Sequence, residues 1–97
     1  MLETHTEAEF RTAAETNADF VGINNRNLGT LKIDLNITKE ILKRNDNCGK
    51  IVVSESGIKT VQDLMFLRDC GADAFLIGSS IMLTDNIEEK VKEFVRV

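Results

Sequence analysis

Apolar and polar positions along the chain follow two alternating periods. Short apolar segments rich in β-branched residues alternate with longer segments whose apolar residues recur at helical spacing. The four apolar segments are residues 1–4, 20–23, 51–53 and 74–77. Because strands that alternate with helical patterns are typical of βαβ units, the sequence predicts one α/β domain over residues 1–97, with four parallel strands alternating with helices.

The predicted helices have recognisable ends. Thr6 and Thr60 are each followed three residues later by an acidic residue, a capping-box pattern that satisfies unpaired N–H groups at a helix start. Gly71 lies where a left-handed C-cap residue is expected. Two further helices are predicted at Asn36–Arg44 and at residues 87–95, from apolar residues that share one helical face.

Part of the first unit recurs in the third. The recurring residues are Thr6, Ala18 and Asp19 in the first unit and Thr60, Ala72 and Asp73 in the third. In both places the Thr is predicted to cap a helix and the Ala-Asp pair to precede the next strand. Two βα units therefore form the repeating block of the chain.

Polar residues follow each predicted strand. They are Glu3, Asn24-Asn25-Arg26, Ser54-Glu55-Ser56-Gly57 and Gly78-Ser79-Ser80. The opposite ends of the strands carry ordinary turn sequences. Because ligands of parallel α/β folds bind at the carboxyl ends of the strands, the sequence predicts one functional face at these ends.

Two of these strand ends place a glycine beside a hydroxyl, at Ser56-Gly57 and at Gly78-Ser79. Glycine lets backbone N–H groups approach an anion closely, serine adds a donor, and a following helix favours negative charge. Each pair alone could be a plain turn. Together, on consecutive strands, they predict a phosphate site, which (βα)8 barrels commonly place after their seventh and eighth strands.

Composition and charge narrow the possible partners. The formal net charge of −4 weighs against nucleic acid, since binding to a polyanion depends on Lys and Arg. No apolar run approaches the ~18 residues that span a bilayer, and a signal-peptide pattern is missing, so we expect a cytoplasmic protein with no membrane contact. Cys48 and Cys70 form no CxxC motif and are expected to be reduced thiols. Neither a metal site nor a cofactor is indicated.

Three strand-end motifs resemble those of indole-3-glycerol-phosphate synthase. They are Gly-Ile-Asn-Asn-Arg-Asn-Leu at 22–28, Ser-Glu-Ser-Gly-Ile at 54–58 and Leu-Ile-Gly-Ser-Ser-Ile-Met at 76–82. Glu3-Thr4-His5 is similar to the end of the fifth strand of that family. The resemblance covers essentially the whole chain and implies the C-terminal half of a (βα)8 TIM barrel, its last four βα units.

The resemblance also implies an activity and residue roles. The family closes the ring of 1-(2-carboxyphenylamino)-1-deoxyribulose 5-phosphate with loss of carbon dioxide and water, a lyase reaction of tryptophan biosynthesis. Glu3 would transfer a proton during dehydration and Asn24 would hydrogen-bond the substrate. Glu55 would point into the site, Arg26 would order it, and Leu28 would line the anthranilate pocket. The phosphate would be held by Ser56, Gly57, Gly78 and Ser79.

Each of these residues also has a purely structural interpretation. Glu3 could be a solvated surface carboxylate, and Arg26 could form a structural ion pair with Glu55. His5, the sole histidine, is expected to make a structural hydrogen bond at the strand end rather than to act in catalysis. Asn24 and Asn25 could be turn residues, because Asn tolerates the left-handed region.

Four strands supply only half of a barrel of typically ~250 residues. The first half of the family's barrel, which carries its catalytic lysines, is missing, so we expect the isolated chain to be inactive. Exposed strand edges and an apolar inner face predict a homodimer or pairing with a complementary N-terminal half.

The alternative function is a non-catalytic half-barrel scaffold that self-assembles and binds phosphate. Phosphate-barrel isomerases are disfavoured by the motif at residues 24–28.

Overall fold

The computed structural model describes residues 1–77 and 80–83, which form one sheet with helices packed against it. In chain order the elements are β1 (Leu2–Thr4), α1 (Glu7–Ala14), β2 (Phe20–Asn24), α2 (Asn36–Arg44), β3 (Ile51–Glu55), α3 (Val61–Cys70), β4 (Ala74–Ile77) and β5 (Ser80–Leu83). The predicted bounds of α2 and β4 agree with the structure. The predicted helix at 87–95 lies outside the described residues.

Strands β1 to β4 lie side by side in chain order, and each neighbouring pair is parallel. The four predicted parallel strands are therefore confirmed, and the arrangement is consistent with part of a (βα)8 barrel. The register places Glu3 opposite Gly22 and Asn24 opposite Glu55. The carboxyl ends of neighbouring strands consequently meet at one edge of the sheet.

The fifth strand is a departure from the predicted fold. Residues 80–82 were expected to continue a strand-end motif towards a helix, but β5 pairs antiparallel with β4, with Met82 opposite Phe75 and Ile81 opposite Leu76. The physical reason is the unpaired edge of β4, which favours pairing with any apolar extended segment nearby. Met82 also packs against the apolar cluster under α3, so the pairing buries side-chain surface.

Side chains of the strands alternate between a face covered by helices and an inner face. The helix-covered face holds two apolar clusters. The first consists of Phe10, Ala13, Val21, Ile23, Ile41 and Val52, and the second of Leu64, Leu67, Ala72 and Phe75. Burying these side chains stabilises the packing of α1, α2 and α3 on the sheet, at roughly 1.5–3 kcal/mol for each large one.

The inner face is only partly covered in the described part of the chain, where Val53 and Ala74 are buried. By the same alternation it carries Met1, Phe20, Ile81 and Leu83, which are 57%, 39%, 54% and 47% exposed. Apolar side chains that share one face and remain in water mark a surface that another element or chain covers. The predicted apolar inner face is present.

The helix ends follow the predicted caps. Thr6 Oγ1 accepts a hydrogen bond from Glu9 N at 3.1 Å, and Thr60 Oγ1 accepts one from Asp63 N at 3.2 Å. Gly71 is left-handed, with φ 104°, as expected for a C-cap. Within residues 1–77 and 80–83, no helix has the length and apolar character needed to cross a bilayer.

Candidate functional site

A cleft of about 370 Å³ opens at the carboxyl ends of the parallel strands. Its lining consists of Glu3 from β1, Asn24 from β2, Glu55, Ser56, Gly57 and Ile58 from the end of β3, and Leu76 and Ile77 from β4. Five of the residues singled out from the sequence therefore share one cleft. The parallel strands and their register bring these residues together from distant parts of the chain.

Glu3 and Asn24 form the first contact across the cleft. Asn24 Nδ2 donates a hydrogen bond to Glu3 Oε1 at 3.0 Å, while Asn24 Oδ1 accepts one from the backbone N–H of Arg26 at 3.0 Å. The amide of Asn24 is thus held at both ends. His5 Nε2 lies 3.4 Å from Glu3 Oε1, so His5 contacts the candidate catalytic carboxylate.

Glu55 forms a carboxyl pair with Glu3. Its side chain is nearly buried, at 4% exposure, and this burial raises the pKa of Glu55 to about 7, aided by its hydrogen bond to Glu3 and by the charge of Glu3. Hydrogen bonds from Asn24 and Glu55, together with His5, lower the pKa of Glu3. Between the two pKa values Glu3 is ionised and Glu55 carries a proton, the arrangement that separates a base from an acid in carboxylate pairs.

Ser56 and Gly57 turn the chain away from β3 in a left-handed conformation, with φ 76° and φ 79°. A Cβ at position 57 would collide with Cγ2 of Ile33, so glycine is required there for space as well as for backbone angle. Left-handed turns are one way in which proteins bring backbone N–H groups close to an anion.

The start of α3 is already occupied by its own cap. The carboxylate of Asp63 accepts hydrogen bonds from the N–H groups of Lys59 and Thr60, at 2.9 and 3.0 Å. The two residues that precede α3 are thus bonded to its capping carboxylate.

The loop after β2 carries two predicted pocket residues that do not line the cleft. Arg26 is exposed and forms an isolated bridge with Ile33, and Leu28 is 63% exposed. Among residues 1–77 and 80–83, Arg26 makes no salt bridge, so the alternative of a structural ion pair with Glu55 is not observed. The predicted phosphate ligands Gly78 and Ser79 lie outside the described residues.

A buried polar cluster beneath the cleft was missed by the sequence interpretation. Asn25, Thr38 and Ser54 are completely buried and contact one another. Asn25 was regarded as a possible turn residue, and Thr38 drew no attention. The available signal was a polar residue on the apolar stripe of α2, beside Ile37.

The sequence has clear relatives. The family model described as indole-3-glycerol phosphate synthase matches residues 1–94. The chain belongs to this family. It is 44% identical over 97 residues to the indole-3-glycerol phosphate synthase of Acetivibrio thermocellus, covering all of this chain and 37% of that protein. It is 47% identical over 96 residues to that of Caldanaerobacter subterraneus subsp. tengcongensis, covering 99% of this chain and 36% of that protein.

An archaeal member is equally similar, with 48% identity over 98 residues to the indole-3-glycerol phosphate synthase of Methanocaldococcus jannaschii. The match covers 98% of this chain and 35% of that protein, so the chain spans little more than a third of the length of these synthases. The resemblance inferred from the strand-end motifs is confirmed. Membership places the chain in a family of tryptophan biosynthesis.

Proposed function

We propose that the chain supplies the last four βα units of an indole-3-glycerol phosphate synthase and contributes their cleft to ring closure. The reaction converts 1-(2-carboxyphenylamino)-1-deoxyribulose 5-phosphate into indole-glycerol phosphate, with loss of carbon dioxide and water. The observation that carries the proposal is the pairing of Glu3 and Glu55 in one cleft with the left-handed turn at Ser56-Gly57.

The two carboxyl groups divide the proton chemistry. Glu3 is ionised near neutral pH and can accept a proton from the substrate during dehydration. Glu55 holds a proton up to about pH 7 and can donate a hydrogen bond or a proton. Asn24 fixes the carboxylate of Glu3 with one amide hydrogen and has a second available for the substrate.

The turn after β3 is the proposed phosphate site. Ser56 offers a hydroxyl and Gly57 a backbone without a side chain, and both line the cleft beside the carboxyl pair. Gly78 and Ser79 would complete the site from the neighbouring strand. Arg26 and Leu28 would reach the substrate only if the loop that carries them folds towards the cleft.

The proposed reaction requires a second polypeptide segment. No lysine lines the cleft in the described part of the chain, whereas the family's general acid and a phosphate contact are lysines of its first four units. The exposed inner-face residues Met1, Phe20, Ile81 and Leu83 are the surface that such a segment would cover. The chain alone is therefore proposed to have no appreciable synthase activity.

Complementation tests the proposal. The chain is mixed with the N-terminal half of a synthase from the same family, and formation of indole-glycerol phosphate is followed by its absorbance. We expect activity with the unaltered chain and with Glu15→Gln, an exposed residue at the C-terminal end of α1, but at least ~10²-fold less with Glu3→Gln. Background turnover in all mixtures would reject the proposal.

The second candidate is a non-catalytic half barrel that self-assembles and binds phosphate. It is favoured by the exposed inner face, which two copies could cover about a twofold axis. A chain that binds inorganic phosphate and sediments as a dimer, but never supports synthase activity with any complement, would establish this alternative.

A further inference from the structure

The buried cluster of Asn25, Thr38 and Ser54 joins three elements. Asn25 follows β2, Ser54 belongs to β3, and Thr38 is on α2. Asn25 Nδ2 lies 3.0 Å from Ser54 Oγ, Thr38 Oγ1 lies 2.7 Å from Asn25 Oδ1, and the two hydroxyl oxygens are 2.8 Å apart. Among the described residues no buried side-chain polar atom lacks a partner.

The direction of every hydrogen bond in this cluster can be deduced. The backbone carbonyl of Ser56 lies 3.1 Å from the Asn25 amide and can only accept, so the amide nitrogen must face Ser56 and Ser54. Asn25 Oδ1 then accepts the single proton of Thr38. Because Thr38 uses its only hydroxyl proton in that bond, Ser54 must be the donor in the hydrogen bond between the two hydroxyl groups.

The three side chains consequently form a closed ring, in which Asn25 donates to Ser54, Ser54 to Thr38, and Thr38 back to Asn25. Each hydroxyl donates once and accepts once, so the bonds polarise one another in the same sense. Leaving one member of such a buried ring unpaired is destabilising, because a buried polar group then loses its hydrogen bond without regaining water.

The ring is bonded to the backbone that carries the cleft. Beyond the contact with Ser56, the N–H of Asn25 donates to the carbonyl of Glu55 at 2.8 Å, and its own carbonyl accepts from Asp34 N at 2.8 Å. Asn24, which precedes Asn25, lies opposite Glu55 in the register. Asn25 thus joins the ends of β2 and β3 next to the paired residues Asn24 and Glu55.

We propose that the ring of Asn25, Thr38 and Ser54 is a positioning device for the cleft, fixing Glu55 and the turn at Ser56 relative to Asn24. This inference rests on the proposed function only for the use of the cleft. Ser56 holds a left-handed backbone, which is unfavourable for a residue other than glycine and persists only where its surroundings enforce it. The hydrogen bond from Asn25 to the Ser56 carbonyl supplies that constraint.

The titration of Glu55 reports on this positioning. The charged group that acts on Glu55 is Glu3 on β1, and His5 in turn acts on Glu3. If the end of β3 moves, water reaches the Glu55 carboxyl group and its contact with Glu3 weakens. Both changes lower the pKa of Glu55 towards its ordinary value of 4.5.

The test compares two substitutions of Thr38, a residue that does not line the cleft. Thr38→Val keeps the shape but removes the hydroxyl, which opens the ring, whereas Thr38→Ser keeps the hydroxyl and removes only a methyl group. The titration midpoint of Glu55 is measured by ¹³C NMR of its carboxyl carbon. We expect it to fall by about one pH unit or more in Thr38→Val and to be unchanged in Thr38→Ser.

An unchanged midpoint in Thr38→Val would overturn the proposal, and so would equal shifts in both variants, because these would report packing of the methyl group. If Thr38→Val does not fold, amide exchange in the unaltered chain tests the ring instead. The side-chain amide protons of Asn25 should exchange with solvent more slowly than those of Asn24, and equal exchange rates would refute the ring. If the midpoints behave as expected but complementation fails, the proposed reaction is rejected and the positioning role of the ring is supported.

Discussion

Glu3 and Glu55 lie on the two strands that flank β2, and their carboxyl groups meet in front of Asn24. Their environments differ, since Glu55 is nearly buried and Glu3 is half exposed and hydrogen-bonded by Asn24. Burial favours the neutral form and hydrogen bonding to the carboxylate favours the charged form. One residue therefore keeps a proton near neutral pH and the other gives it up.

Removing the charge of Glu3 should lower the pKa of Glu55. In Glu3→Gln the negative charge that raises this pKa is lost, so the titration midpoint of Glu55 falls from about 7. It should remain above 4.5, because burial is the largest cause of the shift. Carboxyl ¹³C NMR measures the midpoint, with Glu15→Gln as the control that leaves it unchanged. A midpoint that stays near 7 in Glu3→Gln would show that the two carboxyl groups do not interact.

Glu55 should also make the chain less stable as the pH rises. Its pKa is raised in the folded state, so the folded chain binds this proton more tightly than the unfolded chain does. The stabilisation of the folded chain by the Glu55 proton is fully present below pH 4.5 and is lost as the pH rises through about 7. Urea unfolding at a series of pH values in this window measures it. In Glu55→Gln the free energy of unfolding should depend less on pH. If it depends on pH as steeply as in the unaltered chain, other groups cause the dependence.

The sequence was sufficient to bring the candidate residues of the cleft together but not to explain their properties. Glu3, Asn24, Glu55 and the pair Ser56-Gly57 could be found because each lies at, or directly after, the carboxyl end of a strand. Their protonation states depend on burial and on distances between strands, which no local pattern contains. The ring around Asn25 was missed for the same reason, since it needs side chains from three separate elements.

At the scale of elements, the loop after β2 and the turn after β3 are packed together. Ile33 of the loop contacts the α-carbon region of Gly57, and Asp34 is bonded to Asn25. The helices themselves were well predicted, because capping residues such as Thr60 and Gly71 act locally. The packing between loop and turn could not be predicted, because it joins segments that are distant in sequence.

Replacing Gly57 by alanine should be more damaging than replacing Gly49. Both glycines are left-handed, with φ 79° and φ 77°, so both variants bear the backbone strain. Only at Gly57 would the new Cβ collide with Ile33, which adds about 1–3 kcal/mol of overpacking. Urea unfolding gives the two losses of stability.

A second substitution isolates the collision. Ile33→Ala in the Gly57→Ala background should recover most of the additional loss, whereas in the Gly49→Ala background it should recover none. Equal losses for the two glycine variants would contradict the contact between the loop and the turn.

For the whole molecule, the parallel order of β1 to β4 follows from the alternation of strand and helix patterns, which is why the sequence predicted it. The antiparallel β5 could not be predicted in this way, because its pairing depends on the free edge of β4 rather than on its own pattern. The sheet therefore ends differently from the regular βα repeat, and its apolar inner face stays exposed.

Covering the inner face should drive association. We expect the chain to sediment as a dimer, and Phe20→Lys to weaken the dimer because it places a charge on this face. Met65→Lys is the matched control, since Met65 is similarly exposed but lies on α3. Sedimentation velocity over a concentration series measures both. A well-folded monomer at all concentrations would contradict the association of this face.

We infer that the cleft at the carboxyl ends of the strands is the anion-binding site of a synthase half. Titration of the ¹⁵N-labelled chain with inorganic phosphate, followed by amide NMR, tests it directly. Saturable shifts should centre on Ser56, Gly57 and Gly78, while Gly49, a left-handed glycine in an open turn, should not respond. Shifts that are absent at Gly57, or equally large at Gly49, would contradict the claim.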